Sequence, residues 1–259
     1  MQSSRDARRV KPAPFEYHAP TSVEEACALL ASLKDAKVLA GGQSLIPLLN
    51  FRLARPAHLV DVNRISGLDR IYERDSGIAV QALARQAAVE DSDVARRACP
   101  LLVDAVRLVA HRVIRNRGTV CGSLAHADPA SELPAVLLAL GGHVVARSTR
   151  GERTIPAGAL FSGVMETSLA EDELLVEAWF PASPAPFAIV EESRRHGDFA
   201  LAGAVRAASR LALFGVAPTS VLADPNDPTK GLSPSGDLEA TPEFRLHLIK
   251  VLTARAFAA

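Results

Sequence analysis

The chain has 259 residues, with 29 basic and 29 acidic side chains, 48% hydrophobic and 5% aromatic residues. That length supports one large domain or two to three small ones around a substantial core, and zero formal net charge with few aromatics excludes the basic face and stacking platforms of a nucleic-acid binder. No apolar run approaches the roughly 20 residues of a membrane span, and the polar start MQSSRDARRVK lacks the apolar core of a signal peptide, so the sequence predicts a cytoplasmic protein without membrane insertion.

The body reads as alternating β and α segments. Thr21 to Leu33 is predicted helical, with Ser22 and Glu25 as a capping box and Val23, Ala26, Leu30 and Leu33 at helical spacing. A short strand at Lys37 to Ala40 ends abruptly at Gly41-Gly42, followed by a helical turn at Ser44 to Leu49 and a strand at Leu59 to Val62. Gly77 to Leu83 alternates as a strand. A helix is expected near Arg85 to Arg97, and after the interruption at Pro100 a second at Leu101 to Arg115. The stretch RGTVCGSLAHADPASELP shows neither period and reads as a long ordered loop before a helix at Ala135 to Leu140, which Gly141-Gly142 ends. His143 to Ser148 and Glu152 to Ile155 form a predicted hairpin, and Leu174 to Phe180 a strand closed by Pro181. PASPAPF is the best linker, so a domain boundary is placed there. Strands near Ala188 to Glu192 and Arg210 to Gly215 and a last helix from Pro242 to Phe257 complete the pattern.

Two glycine-centred loops stand out, AGGQSL and GTVCGS. Glycine lets the backbone approach a ligand and turn successive N–H groups inward as a nest for phosphate oxygens; a plain turn is the competing reading. In this reading a side chain at Gly42 would fill the phosphate site. The chain has no GxGxxG and no GxxxxGK[ST], so a dinucleotide would need another fold. None of the seven histidines makes a recognisable ligand pair, and no metal site is expected. Asp128, two residues after His126, reads better as a turn cap than as half of an acid/base pair. Cys121 reads as a small packing residue, Arg194-Arg195 as a solvated turn, and Phe199 by default as core, with flanking of a flat ring as the alternative. The three cysteines, Cys27, Cys99 and Cys121, are odd in number, lack CxxC spacing and fall short of the four thiolates of an iron–sulfur cluster.

The segments FEYHAPTSVEEACALL, VLAGGQSLIPLLNFRLARPAHLVDVNRI, IRNRGTVCGSLAHADPASELPA and RRHGDFALAGA together resemble the FAD-binding medium subunit of molybdenum-containing hydroxylases, the family of the carbon monoxide dehydrogenase medium subunit and the xanthine dehydrogenase flavin domain. The resemblance implies an α+β fold of the vanillyl-alcohol-oxidase FAD-binding type: α/β subdomains at 11–62 and 63–181, and a C-terminal α+β domain at 187–259 that is short for the family. It implies that Ala40, Gly41, Gly42, Gln43 and Ser44 match the first pyrophosphate loop, and Thr119, Val120, Cys121, Gly122 and Ser123 the second. Asp128 and Glu132 then fall near the ribityl or pyrophosphate region, Leu175 near the flavin ring, and Phe199 where an aromatic covers the isoalloxazine. Many relatives carry Gly at the position of Cys121, which is compatible only with negative φ there. The implied role is electron transfer from two [2Fe-2S] clusters of a small subunit, through FAD in this chain, to an external acceptor. The substrate is hydroxylated at a molybdenum cofactor in a large subunit, and the assembly is a dimer of heterotrimers. The competing readings are a self-sufficient flavin oxidase of the same fold and a scaffold subunit that has lost FAD.

Overall fold

The computed structural model describes residues 11–259; the polar start of the chain lies outside them. The first segment comprises β1 (Glu16–His18), α1 (Val23–Ser32), β2 (Ala36–Leu39), α2 (Leu45–Asn50) and β3 (His58–Asp61), with a parallel sheet in the order β1-β3-β2. The capping box forms: the Ser22 hydroxyl accepts from the Glu25 amide, and Glu25 reaches back to the Thr21 amide at 2.8 Å. A 3-10 turn at Val62–Arg64 then leads to β4 (Ile71–Arg74) and β5 (Gly77–Gln81).

Next come α3 (Gln86–Asp91), α4 (Asp93–Ala98), α5 (Pro100–Leu108), α6 (Arg112–Arg115), α7 (Val120–His126) and α8 (Glu132–Leu140). The helix predicted across Arg85 to Arg97 is two, because Ser92 turns out of the helix and caps α4 through the Ala95 amide. The helix predicted to run to Arg115 stops at Leu108. Ala110 has φ of 44°, a left-handed conformation that no helix continues through. Pro100 opens α5 instead of merely interrupting, since a first-turn position needs no N–H. The predicted long loop contains α7 and the first turn of α8. It hides its helical period because Thr119 caps α7 through the Gly122 amide and seven residues are too few to show a repeat.

An antiparallel sheet in the order β4-β5-β10-β6-β7 is completed by β6 (His143–Ser148), β7 (Gly151–Pro156) and β10 (Leu174–Pro181), with α9 (Ala157–Leu160) and the small hairpin β8 (Phe161–Gly163) and β9 (Glu166–Thr167) between them. The last sheet is antiparallel: β11 (Phe187–Ser193), β12 (Ala200–Ala207), β13 (Arg210–Phe214) and β14 (Val221–Ala223), followed by α10 (Pro242–Ala258). β12 was hidden in RRHGDFALAGA because its alanines and glycine carry no strand alternation.

Every residue of α8 is buried. The helix is apolar all round, as a helix enclosed on all sides must be, and it packs against α5, α7, β12 and β13. It joins the second sheet to the last one. On the other side α1 joins the first sheet to the second, through the Cys27 thiol donating to the Arg147 carbonyl and the Arg147–Glu24 ion pair at 2.8 Å.

In the C-terminal part Arg245 of α10 is buried and donates to the carbonyls of Leu201 and Gly215 while pairing with Asp237. Arg245→Met keeps the apolar volume but orphans two buried acceptors. It is expected to lower stability by about 2–3 kcal/mol, read as a shifted urea midpoint with unchanged slope.

Candidate functional site: two abutting glycine loops

The two glycine loops, nearly 80 residues apart in the chain, meet. A Cβ built on Gly41 would collide with the Arg117 carbonyl oxygen and lie 2.9 Å from the Gly118 Cα, so the backbones touch at a distance that only glycine permits. Gly118 is equally confined, with a Cβ there 2.5 Å from Gln86 Oε1. Gly42 has φ of 74°, and its Cβ would meet Ile46 at 3.0 Å and Leu39 at 3.2 Å. That corrects the expectation that a side chain at Gly42 would fill the phosphate site. The constraint there is left-handed backbone and apolar crowding, and the close approach belongs to Gly41.

A polar network holds the loops in this contact. Asn63, just past β3, donates to the Ala40 carbonyl at 2.8 Å and to Asp61 at 2.6 Å. Its Oδ1 accepts from Arg85 at 2.7 Å, and Arg85 also donates to the Arg117 carbonyl at 2.6 Å. Tyr17 donates to Asp61 at 2.6 Å. Burial pushes the Asp61 carboxyl up, but the Tyr17 hydroxyl and the Asn63 amides outweigh it and hold the group below the usual carboxylate range. Burial, then the like charge of Arg117, lowers Arg85. The second loop has its own support. Arg115 is buried and donates to the carbonyls of Val109 and Ala110 at 2.9 and 3.0 Å, and it pairs with Glu90 at 3.0 Å. These bonds fix the break before α6 and so the approach of Arg117-Gly118.

Among the described residues, the amides of Gly41, Gly42, Gln43 and Ser44 donate to no acceptor. Four successive free N–H groups beside a left-handed glycine are the donor set of an anion nest, and the Gln43 side chain donates back to the Gly41 carbonyl at 3.3 Å. In the second loop Thr119 and Val120 are buried, and Gly122 and Ser123 are partly exposed. Ser123 Oγ lies 3.0 Å from Ser131 Oγ. Cys121 is helical with negative φ, as a Cβ there requires. Its thiol is buried against the Val80 carbonyl at 3.4 Å, and burial, then the Glu177 charge, pushes its pKa far up. It is the packing residue the sequence suggested, and it gives no ground for a scaffold that has lost its ligand.

The remaining predicted residues fall in different surroundings. Asp128 accepts from the Ala130 amide at 2.9 Å, the turn-capping role expected of it. Leu175 is buried on β10 opposite Ala146, beside a bulge. Phe199 is 71% exposed, so the default reading of it as core is wrong. Its turn rests on His111, because a Cβ on Gly197 would lie 2.6 Å from the His111 ring, and His111 precedes α6 and the second loop. Sequence reasoning missed Asn63, Arg85 and Arg115. Nothing in a single chain marks them, since each acts on a backbone carbonyl that folding alone brings near.

With this geometry the chain is recognisable as a flavin-binding member of the molybdenum hydroxylases. Residues 13–183 match the family described as the FAD binding domain in molybdopterin dehydrogenase, and the chain belongs to it. It is 50% identical over 198 residues to the 6-hydroxypseudooxynicotine dehydrogenase complex subunit alpha of Paenarthrobacter nicotinovorans, a match covering 75% of this chain and 67% of that one. Over 222 residues it is 40% identical to the carbon monoxide dehydrogenase medium chain of Hydrogenophaga pseudoflava, covering 81% and 77%. The solved structure of carbon monoxide dehydrogenase from Hydrogenophaga pseudoflava, in a form lacking the Mo-pyranopterin moiety, superposes with a TM-score of 0.91 at 35% identity, covering 96% of this chain and 97% of that one. The chain thus spans about two thirds of its most identical curated relative named above and nearly all of the structural one.

Glu132 carries a separate electrostatic signature. It is buried at the start of α8, and burial, then the charge of Glu191, raises it to about 8; burial likewise raises Glu191 to about 7. An acid raised in the folded state contributes its stability fully below the unfolded carboxylate range and loses it as pH rises toward the folded value. Glu90 and Asp61, which are lowered, act with the opposite sign on acidification. Wild-type stability is therefore expected to fall between about pH 5 and pH 8. Glu132→Gln should flatten that slope, leaving the Glu191 part, in denaturation midpoints measured across this window.

Proposed function

We propose that this chain is the FAD-bearing electron-transfer subunit of a heterotrimeric molybdenum hydroxylase, taking electrons from [2Fe-2S] clusters of a small partner subunit and passing them to an external acceptor. The observation that carries the reading is the run of four unpaired amides at Gly41 to Ser44, set against the second loop by glycine-only contact. A dianionic pyrophosphate is the chemistry such a nest suits, and family membership supports FAD as its source. Bound flavin supplies the redox chemistry, accepting reducing equivalents and releasing them to a second partner.

The chain's own part is placement. Ala40 to Ser44 and Thr119 to Ser123 hold the pyrophosphate, Asp128 and Glu132 lie on the ribityl side, and Leu175 and Phe199 flank the ring. Asn63 and Arg85 keep both loops in register, and so act through the loops and not on the cofactor. The fold is assigned to the vanillyl-alcohol-oxidase type, with FAD subdomains at 11–62 and 63–181 and a C-terminal domain at 187–259. Support comes from the three main sheets, each drawn from one of these segments. A large molybdenum-cofactor subunit, a small iron–sulfur subunit, a dimer of heterotrimers and a cytoplasmic location complete the reading. Relatives named as a medium chain and as a complex subunit support the partners. Three buried cysteines are consistent with iron held elsewhere, and among the described residues no helix is long and apolar enough to cross a membrane.

The absorption spectrum of the purified chain tests the central statement. Wild type is expected to carry flavin in near-equimolar amount. Gly41→Ala, which must push Arg117 and Gly118 away, should retain at least about tenfold less at equal cofactor, a loss of about 1.4 kcal/mol or more in binding. Wild-type chain that stays colourless after reconstitution with FAD would overturn the reading. Phe199→Ala should leave unfolding free energy within about 0.5 kcal/mol, as for other exposed positions, while shifting the rate of flavin reoxidation in stopped-flow. Unchanged reoxidation would remove Phe199 from the site.

A further inference from the structure

The three-stranded sheet carries a side-chain cluster that lies outside the two glycine loops, formed by Glu16, His18 and His58. β1 and β3 pair in parallel with Glu16 opposite His58, and residues two apart on a strand share a face. Glu16, His18 and His58 therefore project from one side of the sheet, opposite to Tyr17. His18 Nε2 lies 3.2 Å from His58 Nδ1, and Glu16 Oε2 lies 3.3 Å from His58 Nδ1 and 3.9 Å from His18 Nε2. The three potential ligand atoms lie within 4.8 Å of one another.

These separations have a specific meaning. With metal–ligand bonds of about 2.0–2.2 Å and tetrahedral angles, neighbouring donors around zinc stand about 3.3–3.5 Å apart. The His–His and His–Glu spacings match that value to within a few tenths of an ångström, and the third distance closes with a small rotation of the Glu16 side chain. That side chain is free to rotate, being 74% exposed, whereas the two imidazoles are 24% and 19% exposed and held by the paired strands. The two nitrogens are thus pre-organised and only a carboxylate must be ordered, which keeps the entropic cost small.

We propose that Glu16, His18 and His58 form a binding site for a divalent ion of the zinc class, with three protein ligands and a fourth position open to water or to a donor from outside the chain. Two imidazoles and one carboxylate select a borderline first-row ion over magnesium or calcium, which prefer all-oxygen shells. The ion would cross-link the edge strand β1 to the central strand β3, joining residues 40 positions apart in sequence. On the opposite face of the same strands Tyr17 binds Asp61, and Asp61 holds Asn63 on the first glycine loop. A clip here would stiffen the strands behind that loop without touching it.

The test uses full-length, flavin-loaded chain freed of metal by chelation and dialysis, titrated with zinc sulfate in a calorimeter and counted for zinc by mass spectrometry. One equivalent per chain is expected at micromolar zinc, with no heat from magnesium. His18→Asn and His58→Asn should each weaken zinc binding at least about tenfold while flavin content stays at the wild-type level. Glu16→Gln, at an exposed position that cannot disturb packing, should weaken it measurably and serves if either histidine variant loses flavin. Absence of zinc binding by the wild type, or affinity unchanged in Glu16→Gln and in a folded histidine variant, would overturn the proposal.

Discussion

The backbone contact between Gly41 and Arg117-Gly118 is the constraint on which the rest of the site depends. It sets a loop after strand β2 and a loop between α6 and α7 at a separation that excludes a Cβ at position 41, and it therefore has to be held by something other than side-chain packing. The bonds from Asn63 to Ala40 and from Arg85 to Asn63 and Arg117 supply that hold. Each ends on a backbone carbonyl or on a neutral amide, so the amides of Gly41 to Ser44 are left available. The Asn63 amide stands between two charges, donating to the Asp61 carboxylate and accepting from Arg85, so the Asp61 charge partly offsets that cation while both loops stay tied to one side chain.

Helix α8 plays the equivalent part between the helices around the second loop and the last sheet. Because it is enclosed on every face, a carboxyl group at its start is driven toward its neutral, protonated form. Burial of Glu132 against Glu191 favours the neutral acid. The same helix contacts β12 and β13 of the last sheet, so the C-terminal part is coupled through apolar packing to the segment that carries the second loop. The turn bearing Phe199 rests on His111 in the same way. An exposed aromatic on a turn braced by contact with a residue distant in sequence has a defined position without being core, which is what an aromatic needs if it is to meet a flat ring.

The legible parts of the chain were those whose signal is local. The Ser22–Glu25 capping box, the β6–β7 hairpin and α10 behind its Thr241 cap are all short-range statements, and they appear where the sequence put them. The glycine loops were legible as candidates, and the resemblance to flavin subunits placed them in a family that the comparisons bear out. What could not be read is what depends on distance. α7 was hidden because its helical stretch is barely two turns, too short to show a repeat. The break at Ala110 was hidden because left-handed alanine leaves no mark in composition. Asn63, Arg85 and Arg115 are polar residues in unremarkable contexts, and their partners are carbonyls 5 to 32 residues away. The same holds for His18 and His58. Their spacing of 40 residues matches no ligand motif, and only parallel pairing of β1 with β3 makes them neighbours.

Strand β1 shows how few residues can serve two purposes when the pleat separates them. Its three residues alternate, so Tyr17 faces the Asp61–Asn63 relay while Glu16 and His18 face His58. As an edge strand paired only to β3, it contributes little apolar burial, with a side-chain pattern that is largely exposed. Its attachment therefore rests on polar links on both faces in addition to the ladder, and these links are not equivalent. The Tyr17–Asp61 bond is neutral-to-charged and persists across the ordinary pH range, because Asp61 is held below the usual carboxylate values. On the histidine face one imidazole N–H can bridge His18 Nε2 and His58 Nδ1 at 3.2 Å, while Glu16 Oε2 stands 3.3 Å from the same His58 nitrogen and 3.9 Å from His18 Nε2. A single proton bridges two of these three atoms, whereas a divalent ion would bind all three at once, and the proposed site rests on that convergence.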